Sequence, residues 1–310
     1  MRICSFLPSG TEILFALGLN DSIMGVTFEC DYPVEAKTKP VVVLSKLPPG
    51  LSQAEIDRRV KIYSERRESL YRLDADKLRE IEPELIVTQE LCHVCAASPD
   101  DVGAIFAKLS FVPRILALTP KTVDDVLHDV LTVGVATGRE KEASELVAAL
   151  RARIQKTSQA QPEYRPRVLC LEWLDPPFVG GHWVPEMLSI AGGRDVLGVA
   201  GMRSFETDWQ TIAMSDPDMI LLMPCGYHEH EVEQELRTVR LPSEWYELRA
   251  VRNGNMFATD ASSHFSRPGP RIVDGIEVMA QLFQQYSRSR IRKSAKRAES
   301  EGRSIASRAR

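Results

Sequence analysis

Two thiols and an imidazole within four residues, Cys92-His93-Val94-Cys95, form the stretch of this chain best suited to chemistry. They follow Leu85-Ile86-Val87, an apolar run that reads as a buried parallel strand. Groups just past the C-terminal end of such a strand stand where open α/β sheets bind ligands. Thiolate and imidazole suit zinc, cobalt or iron, and paired thiols also suit redox exchange. A structural zinc wants four ligands. Cys92 and Cys95 would therefore need help from Cys225 and His228, further along in Pro224-Cys225-Gly226-Tyr227-His228. Redox work asks for a thiol on a helix N-terminus, and the next helix opens at Ser98-Pro99, near Cys95 but not on it. Four readings stay open here: unliganded wall, metal ligation, contact with a cobalt or iron cofactor, and redox.

Other residues offer recognition rather than reaction. His182 lies between Gly181 and Trp183. The glycine allows close backbone approach and the indole gives a flat contact surface for a macrocycle. The alternative is that Trp183 merely anchors a helix entry on its own lobe. His228 and His230 flank Glu229, and His264 precedes Phe265 on a late loop. Each set reads either as a solvated loop or as ligand contacts. Pro8-Ser9-Gly10-Thr11 reads as a helix start, with Ser9 or Thr11 as the cap. There is no nucleophile elbow, phosphate-binding glycine loop or His-Glu-x-x-His. These absences point away from an enzyme.

The elements that must position these groups come from a 310-residue chain, 44% hydrophobic and 26% charged, which suggests two domains of ordinary globular composition. The net charge of −4 is uneven. Residues 287–310 hold nine Lys/Arg and two Glu, leaving −11 on residues 1–286. The basic tail reads as a solvated, disordered extension, and no nucleic acid is expected on the folded body. No apolar run is long enough for a membrane span. Arg2-Ile3-Cys4-Ser5-Phe6-Leu7 already reads as a core strand, which leaves no room for a secretory leader. The expectation is a cytoplasmic protein, or a periplasmic one if a leader has been removed. Six cysteines in this length are no disulfide scaffold, and Cys4 and Cys170 read as core thiols.

Periodicity predicts helices over Leu51–Leu73, Asp74–Glu82, Val184–Ala191, Trp209–Met214, Glu231–Arg240 and Arg271–Tyr286. A long helical pattern runs from Thr122 to about Thr157 with a break near Gly138-Arg139. Strands are predicted over 2–7, 23–26, 85–88, 114–118, 167–173, 219–223 and 255–259. Two internal matches order them. Thr11-Glu12-Ile13-Leu14 to Gly18 aligns with Pro185-Glu186-Met187-Leu188 to Gly192, and Glu82-Pro83-Glu84-Leu85-Ile86 aligns with Asp216-Pro217-Asp218-Met219-Ile220. Two similar Rossmann-like α/β lobes follow: 1–138, a connecting helix over 139–162, then 163–286, ahead of the 287–310 tail. The thiol segment then belongs to one wall of an inter-lobe cleft and the Cys225–His228 segment to the other.

Arg2 to Leu19, with Val26 and Cys30-Asp31-Tyr32-Pro33, resembles the opening of cobalamin-type substrate-binding proteins of ABC importers. Leu78 to Val87, Gly192-Gly193 and Pro268 to Phe283 resemble the same family, so the likeness covers roughly residues 1–286. It implies two lobes with central sheets joined by a rigid long helix, a ligand held between them, and a permease partner if the protein is exported. It implies cobalamin or a related corrinoid as ligand, with haem as an alternative; zinc is the alternative that the thiols raise. It also implies that Tyr32 packs on the ligand. Phe178, Trp183, Trp209, Tyr227, His182 and His264 join Tyr32 by their places on loops or elements expected to face the cleft. The cysteines at 92, 95 and 225 depart from what an importer component needs. They keep open a metal- or thiol-dependent enzyme, or a cytoplasmic ligand or metal sensor.

Overall fold

A computed structural model describes residues 1–66, 68–89 and 111–308, with side chains as far as Ser294. The Cys92-His93-Val94-Cys95 segment and the helix expected after Ser98 lie outside the described residues.

The first lobe is a sheet in the order β4-β3-β2-β1-β5-β6. Its strands are β1 (Ile3–Ser5), β2 (Ile23–Thr27), β3 (Val41–Ser45), β4 (Tyr71–Leu73), β5 (Leu85–Gln89) and β6 (Arg114–Leu118). All pairs are parallel except β3 with β4. β1 and β5 are fully buried, as central parallel strands covered on both faces must be. The second lobe has β7 (Arg167–Leu174), β8 (Pro177–Val179), β9 (Arg194–Asp195), β10 (Phe205–Glu206), β11 (Met219–Leu222) and β12 (Met256–Ala258). Its order is β10-β8-β7-β11-β12, with β9 beside the start of β7.

The internal matches become topology. β1 pairs in parallel with β5 and β7 in parallel with β11. The helix after each first strand, α1 (Pro8–Ala16) or α6 (Val184–Ile190), has proline in its first turn. The helix before each second strand, α3 (Ala75–Ile81) or α7 (Trp209–Ser215), ends on an acid in the left-handed region, Glu82 at φ 45° or Asp216 at φ 37°. Proline next in sequence disfavours helical backbone at that acid and forces the exit.

Between the lobes, α4 (Val123–Thr137) and α5 (Glu140–Gln159) are separated by Gly138 at φ 69°. A glycine takes this left-handed cap at no steric cost. α5 folds back on α4, with Gly134 too close to Ala143 to carry a side chain of its own. Four helices follow in the second lobe: α8 (Glu229–Thr238), α9 (Ser243–Glu247), α10 (Arg249–Arg252) and α11 (Ala261–His264). The last, α12 (Ile272–Arg308), is clamped to α5 by Arg153, whose guanidinium reaches Asp274 at 2.5 Å and Glu277 at 2.6 Å. One buried apolar cluster joins Ile3 and Leu14 of the first lobe, Val126 and Val130 of α4, Val168 and Met187 of the second lobe, and Ile276 and Phe283 of α12. The lobes are packed through this shared core rather than strung on a linker.

Four local expectations are corrected. The helix predicted over Leu51–Leu73 is α2 (Gln53–Glu65) followed by β4. β3, overlooked between prolines, is Val-rich and pairs with β2 and β4. α1 has Leu7 as its cap residue, with no side-chain cap. Pro8 fills the first position, where a missing N–H costs nothing, and Thr11 Oγ1 instead lies 3.1 Å from the Cys30 thiol. The 287–310 tail, expected to be disordered, continues α12 as helix to Arg308. Its Ala, Arg, Lys and Glu are good helix formers, and the core-packed first turns supply the nucleus.

Candidate functional site

The C-terminal strand ends of the two sheets face each other. Past β2 the chain turns through Phe28, Glu29, Cys30, Asp31 and Tyr32; past β11 it turns through Pro224 to His228. These loops touch. His228 Nε2 is 3.1 Å from Asp31 Oδ2 of the first lobe, and its Nδ1 is 3.0 Å from Asp260 Oδ1 of its own lobe. Asp31 also takes a charged hydrogen bond from Arg267, which donates as well to Glu29 O at 3.0 Å. Burial would raise the Asp31 carboxyl, but Arg267 first and His228 next outweigh it and hold it below its usual value of 3.8. Asp260 is held low too: burial opposes, while the Ser263 amide and His228 lower it.

A second layer lies beneath. Glu12 of α1, 4% exposed, receives two bonds from Arg271 at 2.6 and 2.9 Å. Burial nonetheless pushes the Glu12 carboxyl up, against Arg271 and Arg267. The Arg271 guanidinium lies 4.0 Å from the centre of the Tyr32 ring, a cation–π contact. Elsewhere along the boundary, α2 meets β7. The fully buried Gln53 accepts from Leu174 N at 2.7 Å through its side chain, and from Trp173 Nε1 at 3.3 Å through its backbone carbonyl. Nearer the connector, Glu186 of α6 accepts from Val123 N at 2.8 Å.

The structure places the sequence-derived residues unequally. Tyr32 is 48% exposed beside Asp31, and Phe28 is 43% exposed, 6.5 Å from the Tyr71 ring. Tyr227 adjoins His228 and meets Trp173 edge-on at 5.8 Å. Burial first, then Glu235 and Glu231, push its phenol up to about 12. Phe178 sits half-buried in β8, paired with Trp173 of β7. His264 is half-buried against Phe265, and burial lowers its pKa.

Trp183 is a core anchor: 5% exposed, inside the shared cluster, with Nε1 donating to Phe265 O at 2.8 Å. Trp209 packs edge-on against Trp245, 5.6 Å away, in the second lobe's separate core.

His182 adopts φ 53°, rare for a residue with a side chain. Its backbone is pinned by N–H donation to Met202 O at 2.5 Å and by Gly201 N donating to its carbonyl at 2.9 Å. A side chain at Gly181 would collide with the Arg203–Ser204 backbone. Burial, then Arg203 and Lys121, keep the His182 imidazole below its usual value, and its Nε2 is buried without a hydrogen bond.

As a metal ligand His228 is poorly placed, because both ring nitrogens already face carboxylates. Cys225 is an exposed free thiol. Among the described residues no group of three or more His, Cys, Asp or Glu could hold a metal ion. The sequence reading singled out Tyr32 but passed over Asp31, Gln53, Trp173, Arg267 and Arg271. Arg267-Pro268-Gly269-Pro270-Arg271 carried a usable signal: two cations set by a stiff turn ahead of a helix.

The periplasmic binding protein family profile matches residues 3–262. The chain belongs to that family. Within it, the chain is 23% identical over 287 residues to an uncharacterized ABC transporter substrate-binding lipoprotein of Bacillus subtilis, covering 90% of this chain and 79% of that one. It is 21% identical over 280 residues to a vitamin B12-binding protein of Vibrio cholerae, covering 89% and 86%. The solved periplasmic vitamin B12-binding protein of Vibrio cholerae superposes with a TM-score of 0.65 at 21% identity, over 92% of this chain and 97% of that one. A periplasmic heme-binding protein from Roseiflexus gives 0.69 at 20% identity, over 92% and 98%. These likenesses establish the two-lobe α/β fold. The relatives are solute-binding proteins and not enzymes.

Proposed function

We propose that this periplasmic binding protein family member holds a corrinoid or related tetrapyrrole between its lobes and passes it to an ABC permease. The observation that carries the reading is the meeting of the Phe28–Tyr32 and Pro224–His228 loops at Asp31 and His228, past the C-terminal ends of β2 and β11 in opposite lobes. Phe28 and Tyr32 leave flat apolar surface exposed there, while Arg267, Asp31 and Asp260 supply polar contacts for a ligand's rim. Relatives named for vitamin B12 and for heme support the ligand class.

Absorbance titration with cobalamin, cobinamide and haem tests it. Binding of one of them at concentrations on the order of tens of micromolar is expected, weakened several-fold by Tyr32→Ala. Absence of binding to all three removes the proposal.

A further inference from the structure

A cavity of about 450 Å³ lies at the other end of the second sheet, between the N-terminal ends of β11 and β12 and the outer turns of α12. Asp218 and Asn255, which line it, immediately precede those strands. The loops that meet the first lobe leave from the opposite strand ends, so the cavity is separate from the inter-lobe boundary. Its volume falls in the range of sites that take small organic ligands.

The lining is two-sided in chemistry. The apolar floor is Phe257 and Leu282. On one side stand three cations. Arg290 is laid flat on Tyr164, its guanidinium 4.0 Å from the ring centre, and bonds Tyr286 Oη at 3.4 Å. Its Nε and second terminal nitrogen donate to no described residue. Arg249 is fixed by Asp216 at 3.0 Å, and Lys293 is exposed with no carboxylate partner among the described residues. Against two of these cations lies Asp218, whose side chain is 1% exposed. Its Oδ2 is filled by the Tyr164 hydroxyl at 2.7 Å and Arg167 N at 3.0 Å. Its Oδ1 lies 3.1 Å from Arg249 and 3.5 Å from Arg290, yet accepts no aligned hydrogen bond. This oxygen is held by ion pairs off the hydrogen-bond axis and so keeps a lone pair for a donor on a ligand.

We propose that this cavity is a second binding site, for a small phosphate ester whose body carries hydroxyl or amino groups. Arg290 and Lys293 take the phosphate, for which a pre-oriented guanidinium fork is well matched. Asp218 Oδ1 accepts from a hydroxyl or amino group of the body, and Asn253 and Asn255 offer both donors and acceptors to the rest.

Calorimetry on the full chain with inorganic phosphate, ribose 5-phosphate, adenosine 5′-monophosphate and adenosine tests the site at physiological ionic strength. One of the two esters binding at least tenfold more tightly than both inorganic phosphate and adenosine is expected. Lys293→Gln, at an exposed position that leaves the fold intact, should weaken that ester several-fold, and Arg290→Gln more. Neither variant should alter binding of a tetrapyrrole, so this site and the inter-lobe reading stand or fall separately. No heat from either ester at millimolar concentration overturns the proposal. So does ester binding indifferent to Lys293→Gln, or equal affinity for inorganic phosphate.

Discussion

Beyond their shared apolar core, the two lobes meet through two kinds of polar contact. At the Asp31 side the join is ionic and layered: Arg271 on Glu12, Arg267 on Asp31, and His228 between Asp31 and Asp260. At the Gln53 side two neutral, buried hydrogen bonds, one carboxamide and one carbonyl meeting Leu174 N and the Trp173 indole, sit on the same helix as the exposed Lys61–Glu206 ion pair. The difference lies in what disturbs each. Charged contacts answer to protonation and salt, whereas a buried neutral hydrogen bond answers mainly to the loss of its partner.

The largest effect is expected on the ionic side. Glu12→Gln removes the carboxylate from a nearly buried pair and strands Arg271; a loss of about 3 kcal/mol should appear in urea denaturation. A loss under about 1 kcal/mol would mean that Arg271 is held by Tyr32 alone. The neutral side should lose less. Gln53→Ala leaves Leu174 N without its acceptor, and about 1–2 kcal/mol is expected in the same assay, unchanged by added salt. A salt-dependent loss would erase the distinction between the two contacts.

Acid gives the smallest and most selective effect. Asp31 and Asp260 are held below 3.8, so their stabilisation is complete above that value and is lost as pH falls through the lowered folded values. Hydrogen exchange near pH 3 should therefore show the Asp31–His228 loops opening while the amide of Leu174 keeps its protection. Simultaneous opening of both would mean that the lobes part as one unit.

Much of this architecture was legible in the sequence, because the features that encode it are local and repeated. Glu82-Pro83 and Asp216-Pro217 mark the same helix exit in both lobes, and Gly138 marks the turn between α4 and α5. The repeat set residues 92–95 against 225–228 and put the 28–32 and 178–183 loops in opposite lobes, but it does not announce the contact of 28–32 with 224–228. What escaped was whatever depends on three-dimensional competition for burial. Trp183, open in the sequence to a cleft role or a helix-entry anchor, lies in the core, and Trp209, expected at the cleft, packs partly buried against Trp245. Arg267 and Arg271 lie more than 250 residues from Glu12 in sequence, and no local pattern announces that they meet it. The run after β4's predecessor failed differently. Tyr71-Arg72-Leu73 suits either helix or strand, and pairing with Val43–Ser45 decides it.

The indole of Trp173 deserves a practical reading. All four tryptophans, at 173, 183, 209 and 245, lie in the second lobe, and Trp173 is the one whose Nε1 reaches across to the first. The protein thus carries its own optical gauge. Emission from Trp209 and Trp245 reports the second lobe's own core and that from Trp183 the core both lobes share, while Trp173 sits on the seam. A coloured macrocycle settling beside that seam would dim Trp173 by energy transfer, and separation of the lobes would shift its emission to the red with no label attached.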